Sequence, residues 1–197
     1  GLNNSSNPMW LTKIGSQMIF SADDGENGRE LWITDNTEEG TRMIKDINPG
    51  NNSSNPTGPM KEMGGYLYFS ANDGVHGWEL WRTDGTEIGT TMVSDINDGE
   101  NSSLSWGSTA HWHGEYTLAH NGYFYFSAND GERGEELWRT DGTESGTELI
   151  VDVNIGDDGS WPWWLTVMGD KIYYTAWDGD QRQLWHYWEN PGPVMSQ

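Results

Sequence analysis

Short apolar runs separated by glycine and polar residues recur along the whole chain, and four such runs fall in each of four units. The second run of each unit follows closely after a glycine and is rich in aromatic and β-branched residues, which is typical of a strand after a tight turn. No 3.6-residue periodicity is present, so the pattern predicts strands rather than helices. The predicted first strand is 10–14, with a copy in each later unit. The predicted second strands are 17–22, 66–71, 123–128 and 171–176, and the third strands are the runs around each Leu-Trp pair. The predicted fourth strands are 42–47, 91–96, 148–153 and 193–196.

A tripeptide, Glu-Leu-Trp, marks the third strand of each unit. It recurs about every 50 residues, at 30–32, 79–81 and 136–138, with Gln-Leu-Trp at 183–185 as a degenerate fourth copy. Asp-Gly precedes each copy, and Thr-Asp-Gly-Thr follows the second and third copies. Thr-Asp-Asn-Thr is a near copy of that turn in the first unit, and the fourth unit has lost it.

Four short strands in each repeated unit predict an all-β fold, a four-bladed β-propeller of four-stranded antiparallel blades. We expect one domain over 1–197, with blades near 7–54, 55–103, 104–159 and 160–197. The chain begins with a copy of the linker at 50–56 and ends within a predicted fourth strand, which favours a ring closed within one chain. The alternatives are a fragment of a longer array and half of a two-chain ring.

The segments 79–86 and 136–143, Glu-Leu-Trp-Arg-Thr-Asp-Gly-Thr, resemble the ELWxxDGT repeats of bacterial surface and secreted proteins. The first three units fit this repeat well, and the fourth keeps only Leu184 and Trp185. The resemblance implies an extracellular repeat protein of propeller type. It implies no active site, because the shared residues of the family look structural.

Composition narrows the range of partners. With 10 basic and 31 acidic residues the net charge is −21, which disfavours nucleic acid and anionic membrane surfaces as partners. Cysteine is absent, which excludes disulfides and thiolate chemistry, and no apolar run is long enough for a membrane helix. No signal-like segment begins the sequence, so we expect that any export signal has been removed or was never part of this sequence.

The four Leu-Trp tryptophans recur once in each unit, so we interpret them as core between the blades. They are Trp32, Trp81, Trp138 and Trp185. In the Thr-Asp-Gly-Thr turns, we expect the Asp side chain to accept local backbone N–H groups and Gly to supply a positive φ.

The loop Asp-Gly-x-x-Gly-x-Glu has two interpretations. Calcium favours six to eight oxygen ligands from acidic loops with glycine at sharp bends, so the loop predicts a calcium site as the only cofactor. Its candidate ligands are Asp24, Glu30, Asp73, Glu79, Asp130 and Glu136. The alternative is a structural hairpin turn, which accounts for the same glycines.

Residues that break the repeat are the candidates for ligand binding. Six tryptophans lie at or near the linkers between units, and in blade geometry these linkers share one face with the Asp-Gly loops. Indole planes beside carboxylates and amides suit sugar rings, and two histidines flank one of these indoles. The candidates are Trp10, Trp106, Trp112, Trp161, Trp163, Trp164, His111 and His113. The alternatives are a small core filled by tryptophan and a weak metal site at the two histidines.

These observations predict an extracellular or cell-surface binding or adhesion module for carbohydrate, stabilised by calcium. The alternative is a structural or assembly subunit that uses the same face to contact a partner protein or a second copy of the chain. No nucleophile triad, phosphate loop or zinc-protease motif is present, so we do not expect an enzyme. Five Asn-x-Ser sequons, at Asn3, Asn4, Asn51, Asn52 and Asn101, predict glycans only for a eukaryotic secretory source and linker turns otherwise.

Overall fold

A computed structural model describes residues 5–104 and 116–188, and its regular structure is antiparallel β-sheet with no α-helix among those residues. The predicted all-β class is therefore confirmed. The strands are β1 (Met9–Ile14), β2 (Gln17–Asp23), β3 (Arg29–Thr34), β4 (Arg42–Lys45), β5 (Thr57–Met63), β6 (Tyr66–Asn72), β7 (Trp78–Thr83), β8 (Thr91–Ser94), β9 (Leu118–His120), β10 (Tyr123–Asn129), β11 (Glu135–Thr140), β12 (Glu148–Val151), β13 (Trp163–Met168), β14 (Lys171–Trp177) and β15 (Arg182–Trp188).

Each repeat forms its own sheet, in which neighbouring strands follow chain order. The sheets are β1-β2-β3-β4, β5-β6-β7-β8, β9-β10-β11-β12 and β13-β14-β15, which we call sheets 1 to 4. Strand bounds agree with the sequence prediction to within about two residues. The fourth strand predicted for the last repeat, 193–196, lies outside the described residues.

The described residues divide into two compact units, 5–104 and 116–188, and each unit contains two sheets. In the first unit, Ile19, Leu31 and Ile33 of sheet 1 join Leu67 and Phe69 of sheet 2 in one buried cluster. In the second unit, residues of sheets 3 and 4 form the corresponding cluster, namely Tyr125, Leu137, Leu165, Ile172, Tyr174 and Ala176. The single domain over 1–197 stays a prediction.

The Leu-Trp tryptophans are less buried than the sequence predicts. Trp81 is buried in the cluster of the first unit, but Trp32, Trp138 and Trp185 are only half-buried. The fully buried rings belong instead to the second strands. These rings are Tyr68, Phe69, Phe124, Phe126, Tyr125 and Tyr174. Among the described residues, no helix has the length and hydropathy needed to span a bilayer.

The Thr-Asp-Gly-Thr turns have the expected geometry. Asp84 Oδ1 accepts the Thr86 N–H at 2.9 Å and the Thr86 hydroxyl at 2.7 Å, while Gly85 has a φ of +88°. Asn36 replaces this glycine in the first repeat and keeps a φ of +75°. Asparagine tolerates this left-handed conformation better than most residues, so the degenerate copy folds in the same way.

Candidate functional site

The Asp-Gly hairpins between the second and third strands are closed by their own aspartates. Asp24 Oδ1 accepts the N–H groups of Glu26 at 2.9 Å and Asn27 at 2.8 Å, and Asp24 Oδ2 accepts the Asn27 side-chain amide at 2.8 Å. Asp73 and Asp130 accept the same two backbone N–H groups in their own hairpins. The hydrogen bond from the Asn27 backbone lowers the pKa of Asp24, so this carboxyl group is ionised at neutral pH.

The glutamate of each Glu-Leu-Trp motif is fully buried and binds a serine in the following linker. Glu30 accepts the Ser54 N–H at 2.8 Å and the Ser54 hydroxyl at 2.5 Å, and it also accepts the Ile47 N–H at 3.1 Å. We call this arrangement the glutamate clasp. It ties the third strand of a sheet to the chain that leads out of that sheet.

The clasp recurs with the same geometry in the next two repeats. Glu79 binds Ser103 through contacts of 2.9 and 2.5 Å, and Glu136 binds Ser160 through contacts of 2.9 and 2.5 Å. In all three repeats the serine lies 24 residues after the glutamate. This constant spacing is a signal in the sequence that identifies the pair, and the sequence predictions missed it by treating the glutamates as candidate metal ligands.

Burial raises the pKa of each clasp glutamate, and the hydrogen bonds from the serines only partly oppose this effect. The effect is largest at Glu79, where burial raises the pKa to about 7 and the charge of Asp95 adds to it. Sheet 4 departs from the pattern. Gln183 occupies the glutamate position there and donates its amide to Asp178 Oδ2 at 2.5 Å.

The predicted calcium ligands therefore use their oxygens for protein donors. The aspartates close exposed hairpins, whereas the glutamates are buried in the clasps. Within residues 5–104 and 116–188, no three histidine, aspartate or glutamate side chains are grouped so as to hold a metal ion. The hairpin alternative accounts for the contacts of these loops, and calcium binding stays a prediction.

The linkers between repeats pass directly against the Asp-Gly hairpins. A Cβ atom added to Gly28 would lie 2.1 Å from the Asn52 carbonyl oxygen, and one added to Gly77 would lie 2.4 Å from the Asn101 carbonyl oxygen. Only glycine allows so close an approach. Within a repeat, the two elements form one surface, which we call the linker face.

The predicted tryptophans differ in exposure on this face. Trp10 is half-buried against the core of the first unit. Trp161 and Trp164 are 42% and 55% exposed, while Trp163 between them is half-buried. The remaining candidates, Trp106, Trp112, His111 and His113, lie outside the described residues.

The exposed indoles lie on strained backbone. Trp161 has a φ of +46° and Trp164 a φ of +62°, a region in which bulky residues are rare. Trp164 lies in a β-bulge, because Trp163 pairs with Thr175 whereas Thr166 pairs with Tyr173, which leaves one extra residue on β13. Strain of this kind costs on the order of 1–3 kcal/mol and is found often at binding sites.

Arg182 at the start of β15 holds this segment in place. Its Nη1 donates to the Trp161 carbonyl oxygen at 3.0 Å, and its guanidinium group lies 4.2 Å from the centre of the Trp163 ring. Tyr116 contacts the same ring edge-on, with a centroid distance of 5.9 Å. The N–H of Trp161 also donates to the Glu135 carbonyl oxygen at 3.0 Å, so the linker is fixed on both sides.

Comparison with known proteins finds solved structures that are similar to the chain. No protein-family model and no curated protein matches the chain. A crystal structure of a puromycin hydrolase mutant complexed with PGG is similar to the chain with 21% identity and a TM-score of 0.51, over 88% of this chain and 25% of that chain. A crystal structure of the tricorn protease gives 15% identity and a TM-score of 0.38, over 91% of this chain and 17% of that chain.

The first of these likenesses corrects one prediction. The sequence motifs led us to expect that the chain is not an enzyme, but a solved structure similar to the chain is named as a hydrolase, so that prediction is wrong. The absence of a familiar motif from a sequence does not show that the protein lacks catalytic activity. At this identity the likeness to puromycin hydrolase shows the fold alone, and the chain spans a quarter of that protein's length.

Proposed function

We propose that the chain is an extracellular binding module that binds carbohydrate through its linker face. In this proposal the repeats belong to the ELWxxDGT type, and their sheets are the blades of a four-bladed propeller. The observation that carries the proposal is the pair of exposed indoles, Trp161 and Trp164, held on strained backbone in one short segment.

The chemistry of the segment suits a sugar ring. An indole offers a flat apolar surface to the C–H groups of a pyranose, and polar groups around it bond to the hydroxyls. Asp178 and Asp180 lie on the adjacent hairpin, and Asp157 and Asp158 lie in the linker itself. Because Arg182 and Glu135 already hold the linker, little conformational entropy is lost when a ligand binds.

A second candidate is an assembly subunit that contacts a partner protein or another copy of the chain. It is favoured by two exposed apolar side chains on β15, Leu184 at 70% and Trp188 at 40%. Either ligand, a glycan or a protein surface, agrees with the net charge of −21, which disfavours nucleic acid and membrane insertion.

Tryptophan fluorescence tests the proposal. The intrinsic emission of the protein is followed during titration with a panel of oligosaccharides, and we expect a saturable change with at least one of them. Trp161→Ala and Trp164→Ala should each weaken that binding about tenfold, because a lost stacking contact costs on the order of 1–1.5 kcal/mol.

Trp188→Ala is the matched control, since Trp188 is similarly exposed but lies at the other end of sheet 4. Its affinity should equal that of the wild type. A protein that binds no sugar in the panel, but associates with itself in light scattering in a way that Leu184→Ser abolishes, would favour the second candidate instead.

A further inference from the structure

Among the described residues, sheet 4 carries several of the residues that break the repeat on the linker face. Three positions vary between repeats: the residue before the linker proline, the residue in the bulge of the first strand, and the first residue of the third strand. The residues before the proline are Asn7, Asn55 and Trp161. The residues in the bulge are Trp10, Gly58 and Trp164. The residues at the start of the third strand are Arg29, Trp78, Glu135 and Arg182. Within residues 5–104 and 116–188, sheet 4 alone combines two exposed indoles with an arginine.

Arg182 shares one set of contacts with Arg29. Arg29 Nη1 donates to the backbone oxygen of Ser21 at 3.2 Å and to its hydroxyl at 3.3 Å, and Arg182 Nη1 makes the equivalent contacts to Thr175 at 3.5 Å each. Arg182 adds the bond to the Trp161 carbonyl and the stacking on Trp163. The shared contacts stabilise the sheet, and the added ones hold the guanidinium group against the segment from Trp161 to Trp164.

The guanidinium of Arg182 has no acidic partner in the described part of the chain. Arg133 pairs there with Asp130 and Arg139 pairs with Glu148, whereas every hydrogen bond of Arg182 within 5–104 and 116–188 uses Nη1 and ends on a carbonyl or hydroxyl oxygen. Within the described residues, its Nε and Nη2 atoms make no hydrogen bond.

We propose that sheet 4 binds an acidic saccharide, in which the pyranose ring of a uronic acid stacks on Trp161 or Trp164 and its carboxylate bonds to Arg182. A planar guanidinium group matches a carboxylate with two parallel hydrogen bonds, which a neutral sugar lacks. This inference rests on the carbohydrate binding proposed above and names the class of sugar.

The charge of the whole protein sets the conditions for a test. A net charge of −21 repels an anionic ligand at long range, which would mask a local preference at low ionic strength. At about 0.15 M salt the Debye length is about 8 Å, so distant carboxylates are screened while a contact pair persists. Affinity is therefore measured at that ionic strength.

The experiment compares two ligands that differ in one group. Oligogalacturonate and its carboxyl-reduced, neutral derivative are titrated against the protein by isothermal calorimetry. We expect the acidic ligand to bind at least about tenfold more tightly, and Arg182→Gln to abolish that difference. Arg29→Gln is the matched control, because it removes the equivalent arginine from sheet 1, and it should preserve the difference.

The outcomes separate this inference from the function on which it rests. Equal affinity for the two ligands, or a preference that survives in a folded Arg182→Gln protein, would overturn the inference and leave carbohydrate binding standing. Binding of neither ligand would also overturn the inference, and the neutral oligosaccharide panel would then decide the proposed function independently. Melting curves of both arginine variants establish that they are folded.

Discussion

At the scale of single residues, the aspartate and the glutamate of the Asp-Gly-x-x-Gly-x-Glu loop have different environments and different roles. Asp24 is exposed, ionised and bonded to nearby backbone, whereas Glu30, six residues later, is fully buried and bonded to a distant serine. Burial favours the neutral form of a carboxyl group, while local N–H donors favour the charged form. The two carboxyl groups therefore respond to pH in opposite directions.

We predict that the protein loses stability as pH rises from about 4.5 to 7. The folded-state pKa of Glu79, about 7, lies above its ordinary value of 4.5, so the folded state binds more protons across that interval. The stabilisation is complete below pH 4.5 and is lost as pH rises through 7, at no more than about 1.4 kcal/mol for each pH unit between the two pKa values. Urea unfolding at a series of pH values measures it.

Glu79→Gln isolates this contribution. Glutamine keeps the shape of the side chain but cannot titrate, so the variant should lose less stability than the wild type over the same interval. Glu62→Gln removes an exposed carboxylate of the same sheet and should leave the slope unchanged. Identical slopes for the wild type and Glu79→Gln would contradict the prediction.

At the scale of the strand, the first strands of sheets 1, 2 and 4 carry a bulge at the same place. In sheet 2 the left-handed residue is Gly58, with a φ of +111°, but in sheets 1 and 4 it is Trp10 and Trp164. Glycine meets this conformation without strain and tryptophan does not. The backbone of sheet 4 thus maintains an exposed indole at a cost in stability.

We predict that Trp164→Gly is more stable than Trp164→Ala by about 1 kcal/mol, because only glycine relieves the strained backbone. Both variants remove the indole, so their difference reports the backbone alone. Thermal melting measures it. At Val167, on the same strand with ordinary φ, the order should reverse, with glycine less stable than alanine by about 0.5–1 kcal/mol. The same order at both positions would exclude stored strain at Trp164.

At the scale of the whole molecule, the excess of acidic residues is the main electrostatic influence on stability. Self-repulsion opposes the compact state, so adding NaCl from about 10 to 150 mM should raise the melting temperature, by on the order of 2–4 °C for each kcal/mol recovered. CaCl₂ at matched ionic strength is the comparison that tests calcium binding. A further rise would indicate specific binding, because a ligand that binds only the native state stabilises it.

Much of the architecture was predictable from the sequence, because the same pattern of apolar runs and turns occurs four times. Strand order, the Asp-Gly hairpins and the face that they share with the linkers follow from the repeated apolar runs and the placement of glycine. The clasp was not predicted, because a glutamate that accepts buried hydrogen bonds and a glutamate that binds a metal are the same residue type in a sequence. Arg182 was missed for a similar reason: its contacts join β15 to the linker 21 residues earlier, and no local pattern reports them.

The forward reach of the clasp has a consequence for synthesis on the ribosome. Glu30 cannot be satisfied until Ser54 has been added, and the same delay separates Glu79 from Ser103 and Glu136 from Ser160. Each of the first three repeats therefore emerges with a glutamate whose serine partner is still missing, and its clasp forms only when the first residues of the next repeat leave the exit tunnel. Maturation along the nascent chain accordingly proceeds from the N-terminal end, one repeat behind translation.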